Sequence, residues 1–493
     1  RIDSRRVAAV LKERTGIDAR ITILGHVQRG GTPSAFDRWM STVLGYAAVQ
    51  ELMAAEPGMP GQILGIRRNR VCRLPLVETV AATRAVATAI AEGRYEDAVA
   101  SRGHGFGLTL EIIETMTRPP DADTRREDLG AGKRVAIIHA GGLAPGMNTA
   151  ARAAVRLGLA HGYTMLGIEG GFPGLAEGRV RELSWREVDS WAGESGANLG
   201  TRRNLPEVEH LYSIGRAIET NRIDGLIVIG GFSAYLGAHT LVTERQRFAA
   251  FKIPIVCVPA SIDNNLPGAE LSIGTDTAIN NIVWALDHIK ASAAASRRCF
   301  VTETMGRYCG YIAQMSGIAA GAELVYLHET GMTLEGIVQD AHRMRDAFEG
   351  GRDLFLVVRN ENANPEYSSD FLARAFEEEG GGLFDVRLNN IGHLQQGGVP
   401  TSYDRLLATR LTAFALDVLD EQFESRSNRA YYVGRTAAGG LGREPLEHMM
   451  DEVDPAYRRP LEQSWLAYRG IGAAVSLRGA AVPAPLEIID MEP

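Results

Sequence analysis

From Arg134 onward, short apolar runs alternate with longer segments of helical pattern. The runs lie at residues 134–139, 226–229, 255–258, 299–302 and 354–358. Several of them end directly at Gly, Pro, Asn or Asp, which are residue types that open loops. Buried strands that alternate with helices predict a doubly wound α/β sheet, with ligand-binding loops at the carboxyl ends of its strands.

A segment of 19 residues occurs twice in the chain. Residues 20–38 return 367 positions later as residues 387–405, and nine of the nineteen aligned positions are identical. The identical residues are Arg, Gly, His, Gln, Gly, Gly, Pro, Asp and Arg, which are ligand-binding and turn-forming types. A helical segment follows each copy, so the repeat extends past the shared motif. The pattern predicts a duplicated site in two homologous halves.

The position of each copy predicts how the chain is divided. The long alternating pattern precedes the second copy, whereas only 19 residues precede the first. We therefore expect residues 1–116 to be the C-terminal part of a first half that is truncated at its front. The polar residues 117–133, with two consecutive prolines, predict a linker. Residues 134–475 are expected to form a complete second half, and residues 476–493 a C-terminal tail.

Composition narrows the class of protein. The net charge of -8 favours neither nucleic acid nor an anionic membrane surface as a partner. The sequence holds no apolar run of about 18 residues. The four cysteines form no CxxC pair, so neither a zinc site nor a disulfide framework is predicted. These observations indicate a protein of the reducing cytoplasm.

Two glycine-rich turns each follow a predicted strand. The first spans residues 139–148 and the second begins at Gly230 and Gly231. Glycines let backbone N–H groups approach a phosphate, and the N-terminus of the following helix adds a favourable dipole. Tight packing between a strand and a helix also requires glycine, so both explanations stay open.

The loop at residues 259–265 places a hydroxyl, a carboxylate and two amides directly after a buried strand. Asp263 in such a loop could accept a proton from a sugar hydroxyl or hold a metal ion. The alternative is an Asx-turn that closes the strand.

Several arginines lie near predicted loops. They are Arg203, Arg297, Arg298, Arg307, Arg387 and Arg458. The planar arginine fork is suited to phosphate because it offers two charge-assisted hydrogen bonds. His393, between Gly392 and a Gln-Gln-Gly-Gly run, offers donors and acceptors for sugar hydroxyls, and its counterpart His26 lies in the same frame. Solvated charges and a structural histidine are the alternatives.

Together these motifs resemble the tandem, two-half form of the ATP-dependent 6-phosphofructokinase family. The resemblance runs from Arg20 to about Arg469. It implies a Rossmann-like phosphofructokinase fold and a glycolytic kinase that transfers the ATP γ-phosphoryl to fructose 6-phosphate, giving fructose 1,6-bisphosphate. Mg²⁺ and ATP would serve the full-length enzyme, and neither is expected to bind this chain. The resemblance also implies a homo-oligomer whose pockets are shared, with Arg20, Arg298 and Arg387 acting across a subunit interface.

The resemblance further implies a role for each motif residue. Asp263 takes the position of the family's catalytic base. In the first half, fructose 6-phosphate would be bound by Arg20, His26, Val27, Gln28 and Arg29. In the second half, an allosteric fructose bisphosphate would be bound by Arg203, Ser261, Ile262, Asp263, Asn264, Asn265, Arg298, Met305, Gly306, Arg307, Glu361, Arg387, His393, Leu394, Gln395, Gln396 and Arg458.

Departures from the family pattern modify this expectation. Leu143 stands where the family has an Asp in the nucleotide turn, and Phe232 stands where a carboxylate should ligate magnesium. Phosphoryl transfer relies on the metal to neutralise charge, so we expect Asp263 to be vestigial and this chain alone to be inactive. Gln396 in place of the arginine at Arg29 indicates that the two pockets recognise different ligands. The alternatives are a non-catalytic sugar-phosphate-binding regulatory subunit and a pyrophosphate-dependent phosphofructokinase.

Overall fold

The computed structural model describes residues 3–67, 70–118, 132–435, 440–477 and 482–491. Within these ranges the α-helices are, in chain order, α1 Ser4–Thr15, α2 Ala35–Ala54, α3 Leu76–Ala91, α4 Tyr95–Ala100, α5 His104–Thr117, α6 Met147–Ala160, α7 Gly171–Ala176, α8 Val208–Thr220, α9 Phe232–Thr243, α10 Thr275–Ala294, α11 Tyr311–Ala320, α12 Leu334–Glu349, α13 Ser369–Gly380, α14 Ser402–Glu424 and α15 Ile471–Ser476.

The strands of the same ranges are β1 Gln62–Arg67, β2 Arg70–Pro75, β3 Arg134–Ala140, β4 Thr164–Ile168, β5 Val180–Glu182, β6 Gly225–Gly230, β7 Ile255–Pro259, β8 Arg298–Thr304, β9 Leu324–Tyr326, β10 Leu354–Asn360, β11 Asp385–Asn390, β12 Ala430–Arg435, β13 Leu441–Pro445, β14 Val453–Asp454, β15 Arg459–Pro460 and β16 Ile488–Asp490. The five apolar runs of the sequence are thus strands β3, β6, β7, β8 and β10.

A seven-stranded sheet has the order β13-β12-β7-β6-β3-β4-β5. Its central strands are parallel, and the edge strands β13 and β5 are antiparallel to their neighbours. All six residues of β6 are buried, as expected for a central strand that helices cover on both faces. The doubly wound α/β arrangement is confirmed, with the two faces covered by different helices.

A second, four-stranded parallel sheet has the order β11-β8-β10-β9. The sequence pattern predicted a doubly wound arrangement but did not show how many sheets the five runs form, and the structure divides them between two. The 20-residue helix α10 carries the chain from the first sheet to the second, so β8 and β10 do not continue the order of β7. The five apolar runs therefore belong to two sheets that face each other across a cleft.

Helices α6 and α14 pack against each other on one face of the large sheet. Helix α6 is rich in alanine, the strongest helix former, and its small side chains let α14 approach closely. Val155, Leu411 and Leu416 are almost fully buried between these layers. Burial of each such side chain contributes about 1.5–3 kcal/mol relative to exposure, so this layer fixes where the loops of the large sheet lie.

The first segment of the chain packs on the small-sheet side. Trp39 and Val43 of α2 are buried against α10 and α11. Strands β1 and β2 form an antiparallel pair, and β16 lies parallel to β2. Residues 482–491, which the sequence analysis assigned to a C-terminal tail, therefore contribute a strand to a sheet of the first segment.

Most of the expected linker, residues 119–131, lies outside the described residues. On either side of it, α5 ends at Thr117 and β3 begins at Arg134. In the described part of the chain, every helix is too short or too polar to span a bilayer.

Candidate functional site

A cleft of about 380 Å³ opens between the two sheets. It lies at the carboxyl ends of β3, β6 and β7 on one side and of β8 and β10 on the other, where ligands bind in open α/β sheets. Its walls are formed by Gly142, Leu143, Arg203, Gly231, Phe232, Ser233, Ala260, Ser261, Ile262, Asp263, Asn265, Met305, Arg307, Tyr308, Glu361, His393, Gln396, Tyr457 and Arg458.

The loop after β7 is held in shape by its own polar side chains. Ser261 Oγ accepts a hydrogen bond from the Asp263 backbone N–H at 3.2 Å and donates to Asn265 Oδ1 at 3.0 Å. Asn265 Nδ2 in turn donates to the Arg458 carbonyl at 2.9 Å. This chain of bonds joins the carboxylate-bearing loop to the segment that carries one of the cleft arginines.

Asn264 is buried and does not line the cleft, although the resemblance placed it among the ligand-binding residues. Its Oδ1 accepts from the Ser272 backbone N–H at 2.8 Å, and its Nδ2 donates to the Glu270 carbonyl at 3.2 Å. Its φ of 52° lies in the left-handed region, which asparagine tolerates better than most residues. Asn264 therefore stabilises the loop through hydrogen bonds and does not face the cleft.

Asp263 lies partly exposed on the cleft wall. Desolvation by the surrounding protein raises the pKa of Asp263 to about 6, and the Glu361 carboxylate adds to this effect. Arg307 and Arg203 oppose the rise. A carboxyl group with such a pKa exchanges its proton near neutral pH, as expected in a ligand-binding cleft.

The turn after β8 presents Arg307 to the cleft. Gly306 has a φ of 114°, and a Cβ there would lie 2.4 Å from the Cys309 carbonyl oxygen, so only glycine fits. The Arg307 backbone N–H donates to Glu361 Oε1 at 2.7 Å. The Met305 carbonyl accepts from Asn360 Nδ2 at 3.1 Å. These bonds tie the turn to the end of β10.

The structure brings eleven of the sequence-derived second-half residues to the cleft surface. They are Arg203, Ser261, Ile262, Asp263, Asn265, Met305, Arg307, Glu361, His393, Gln396 and Arg458. Gln395 is fully buried beside them, where its Oε1 accepts from the Met305 N–H at 3.0 Å and its Nε2 donates to the Gly392 carbonyl at 2.9 Å. Gly306 and Leu394 are absent from the cleft lining.

Arg298 and Arg387 lie away from the cleft of their own chain. They occupy the amino-terminal part of β8 and β11, whereas the cleft lies at the carboxyl ends. Both guanidinium groups are close to the Asp385 carboxylate, at 3.7 Å and 3.2 Å respectively. Their expected action across a subunit interface stays a prediction.

The five first-half residues predicted to bind substrate lie on the surface. Arg20, His26, Val27, Gln28 and Arg29 are exposed, and the last four form an exposed 3₁₀ turn, Gly25–Arg29. None of them lines the cleft, so the structure does not bring them into a pocket with the second-half residues.

Two aromatic residues of the cleft, Tyr308 and Tyr457, were missed by the sequence analysis. Each directly neighbours a cleft arginine in sequence, Tyr308 after Arg307 and Tyr457 before Arg458. That adjacency was the one available signal, because an aromatic residue beside an arginine in a loop is otherwise common.

The lining residues do not fit a magnesium-bound nucleotide. Leu143 and Phe232 form the wall at the two glycine turns, and Ser233 supplies the hydroxyl next to them. The carboxylates of the lining are Asp263 and Glu361, and Glu361 already accepts from Arg307. Magnesium prefers carboxylate and phosphate oxygens, and the lining residues of the two glycine turns supply no carboxylate.

Known proteins have sequences and structures similar to those of this chain. The chain is 39% identical over 480 residues to the platelet-type ATP-dependent 6-phosphofructokinase of Rattus norvegicus, covering 95% of this chain and 60% of that protein. The muscle-type enzyme of Mus musculus is 39% identical over 482 residues, with 95% and 61% covered. A phosphofructokinase structure from Saccharomyces cerevisiae matches with a TM-score of 0.88 and 34% identity, covering 96% of this chain and 64% of that one.

The chain thus spans about three fifths of the length of the curated relatives it matches. The structural match confirms the fold that the sequence motifs implied. A family model described as phosphofructokinase matches residues 3–52 and 134–419, which is more than half of the chain. On this evidence the chain belongs to the phosphofructokinase family.

Proposed function

We propose that this chain belongs to a 6-phosphofructokinase that transfers the ATP γ-phosphoryl, with Mg²⁺, to fructose 6-phosphate. In this proposal residues 134–475 are a regulatory half, and their cleft binds a fructose bisphosphate. Residues 1–116 belong to the catalytic half and contribute Arg20 and residues 26–29 to its fructose 6-phosphate pocket. The observation that carries the proposal is a cleft that keeps three arginines but presents Leu143 and Phe232 where a nucleotide and its metal would need carboxylates.

The charges of the cleft suit a ligand with two phosphate groups. Arg203, Arg307 and Arg458 supply three cations, against the carboxylates of Asp263 and Glu361. Arginine forks can hold phosphate oxygens in pairs. Because the pKa of Asp263 is raised to about 6, part of its negative charge is removed near neutral pH, which lowers the repulsion toward an anionic ligand.

The remaining lining groups suit the hydroxyls of a sugar. His393 and Gln396 reach the cleft from the second copy of the repeat, and Asp263 can accept a hydrogen bond from a hydroxyl. Binding and orientation of the sugar are therefore the chemistry that this cleft offers. The phosphoryl transfer itself is assigned to the other half.

Two further proposals concern the assembly and the location of the protein. We infer a cytoplasmic homo-oligomer in which Arg298 and Arg387 of one subunit complete the cleft of another. Arg387 is exposed on β11, the edge strand of the small sheet, and Arg298 is partly exposed at the amino end of the neighbouring strand β8, so a partner can reach both side chains.

Calorimetric titration of this chain with fructose 1,6-bisphosphate tests the proposal. The chain should bind, and Arg307→Ala should weaken binding roughly 30-fold, because loss of a charge-assisted phosphate contact costs about 2 kcal/mol. Arg374→Ala is the matched control, since Arg374 is an exposed arginine of α13 outside the cleft lining.

Two results would contradict the proposal. Equal affinity of the wild type and Arg307→Ala would remove the cleft as the binding site. ATP-dependent phosphorylation of fructose 6-phosphate by this chain alone, abolished in Asp263→Asn, would show that the second half is catalytic after all.

A further inference from the structure

Behind the cleft wall, the Arg459 side chain joins two segments that both line the cleft. Its Nη1 donates to the Tyr308 carbonyl at 2.5 Å and to His328 Nδ1 at 2.8 Å. The same guanidinium lies 3.4 Å from Glu329 Oε1. Arg459 neighbours Arg458 in sequence, and Tyr308 neighbours Arg307, so one side chain links the two arginine-bearing segments.

Glu329 anchors Arg459 from the protein interior. Its side chain is 3% exposed, and both of its oxygens accept from the Gly310 N–H, at 2.9 Å and 3.1 Å. The Gln463 amide, oriented by these partners, donates to Glu329 at 2.8 Å and accepts from Arg459 Nε at 3.3 Å. The ion pair therefore has hydrogen-bond partners on both sides, which a buried pair needs to be favourable.

Three aromatic rings enclose the same contact. The His328 ring centroid lies 5.0 Å from that of Tyr308 and 4.6 Å from that of Tyr457, and the two tyrosine rings are 5.6 Å apart. The Arg459 guanidinium also lies 5.1 Å from the centre of the Tyr457 ring. Both tyrosines line the cleft, so a shift of Arg459 or His328 would move the cleft wall.

The backbones of the two cleft arginines are conformationally demanding. Arg307 and Arg458 have φ angles of 51° and 52°, in a region that non-glycine residues seldom adopt without support. The Arg458 N–H donates to the Asp454 carbonyl at 2.7 Å, and its carbonyl accepts from Asn265. The bond from Arg459 to the Tyr308 carbonyl is a direct link from this segment to the Arg307 turn.

We propose that Arg459 and neutral His328 form a clamp that sets the separation of Arg307 and Arg458, and hence the affinity of the cleft for a bisphosphate. The proposal rests on the function proposed above. Arg459 is a positioning residue in this scheme, since it does not line the cleft.

The clamp requires a particular protonation state of His328. Arginine has no acceptor, so His328 Nδ1 can accept from Arg459 only when it carries no proton. Burial and the Arg459 charge lower the pKa of His328, and Asp454 opposes this shift. The Tyr308 and Tyr457 rings also face the imidazole, and the Glu329 carboxylate contacts the same Arg459 guanidinium. Protonation would remove the acceptor and place a second positive charge beside Arg459.

The test is titration with fructose 1,6-bisphosphate at pH 7.5 and at pH 5.5. Arg459→Lys keeps the positive charge but lacks the planar guanidinium group. This variant should bind fructose 1,6-bisphosphate about tenfold more weakly than the wild type at pH 7.5. Arg374→Lys is the control and should leave the affinity unchanged. Unchanged affinity in Arg459→Lys would overturn the clamp.

His328→Asn provides a second variant that does not disturb Arg459 itself. Asn Oδ1 can replace the Nδ1 acceptor but cannot be protonated, so affinity at pH 7.5 should stay within about twofold. Acidification should then weaken this variant less than the wild type, whereas Asp263 and the ligand phosphates titrate equally in both. Superimposable pH profiles would overturn the role of His328.

The failure of each proposal can be told apart. If the wild type does not bind the bisphosphate, the proposed function fails, and the clamp fails with it because it has nothing to position. If binding depends on Arg307 but not on Arg459 or His328, the clamp alone is wrong.

Discussion

The two copies of the repeated segment have the same local structure in different surroundings. Gly25 and Gly392 begin the 3₁₀ turns Gly25–Arg29 and Gly392–Gln396 with φ angles of 54° and 52°. After each turn, the hydroxyl of Ser34 or Thr401 caps the next helix by accepting from a backbone N–H at 3.2 Å. Local sequence is therefore enough to specify the turn and the start of the helix.

The surroundings of the two turns differ. Residues 17–33, which include the first turn, are exposed throughout. In the second turn Gln395 is fully buried, and Asn281 of α10 donates to the carbonyls of Leu394 and Gly397. The comparison teaches that the motif encodes a turn, and that only the small sheet and α10 make the turn part of a cleft.

The largest expected difference between the copies is at their shared aspartate. Asp404 is fully buried and accepts from the N–H groups of Gly274 and Thr277 at 2.9 Å and 2.8 Å, whereas Asp37 is exposed. Asp404→Ala should lower the free energy of unfolding by about 3 kcal/mol, because it leaves buried donors unpaired. Asp37→Ala should cost about 1 kcal/mol or less. If denaturant titrations gave equal losses of unfolding free energy for the two variants, the proposed difference between the two copies would be wrong.

Asp404 should also make the free energy of unfolding depend on pH. Burial raises the pKa of Asp404 from its ordinary value of 3.8 to about 7. A raised pKa favours the folded state at low pH, and this contribution is lost as pH rises from about 4 to 7. The stability of the wild type relative to Asp404→Asn should therefore fall across this window, by up to about 1.4 kcal/mol per pH unit. Asp37→Asn is the control, and its stability should have the same pH dependence as that of the wild type.

A smaller difference is expected at the shared glutamine. Gln395→Ala removes the bond to the Met305 N–H and the bond to the Gly392 carbonyl, so it should cost about 2 kcal/mol of stability. It should also weaken bisphosphate binding, since Met305 lines the cleft. Gln28→Ala, at an exposed position, should change the unfolding free energy by less than about 0.5 kcal/mol. Thermal unfolding and calorimetry would measure both.

The smallest difference is expected at the shared histidine. His393 lines the cleft but is otherwise exposed, so His393→Ala should weaken bisphosphate binding by roughly fivefold with little change in stability. His26→Ala should leave binding to this chain unchanged. A loss of affinity in His26→Ala would show that the first copy takes part in the site.

Much of the fold followed from the sequence because its signals are local. The five apolar runs are strands, since each is short and apolar and several of them end at a turn residue. Their division between two sheets did not follow from the sequence, because the pattern of α10 is that of an ordinary helix and nothing in it shows that this helix joins two sheets. The strand at Ile488–Asp490 was not predicted either, because its partner β2 lies more than 400 residues away in the chain.

The sequence predicted which residues belong to the candidate site better than it predicted which of their side chains face the cleft. Asp263, Arg307 and Glu361 lie together at strand ends, as the loop positions indicated. Asn264 and Gln395 are motif residues as well, yet both are turned away from the cleft and stabilise its loops. The sequence did not indicate a role for Arg459. Its contacts are with Tyr308, His328 and Glu329, which lie in a different part of the chain.

The sequence by itself determined the turns, the helix caps and the buried strands, because these depend on backbone angles and on hydrogen bonds within a few residues. It also determined that the apolar residues Leu143 and Phe232 stand in the two glycine-rich turns, which is a matter of residue identity. Only the tertiary structure decided which copy of the repeat forms part of a cleft and which arginines face it. Burial and charge separation are set by elements that are distant in sequence, so two motifs that form the same turn can lie in different environments.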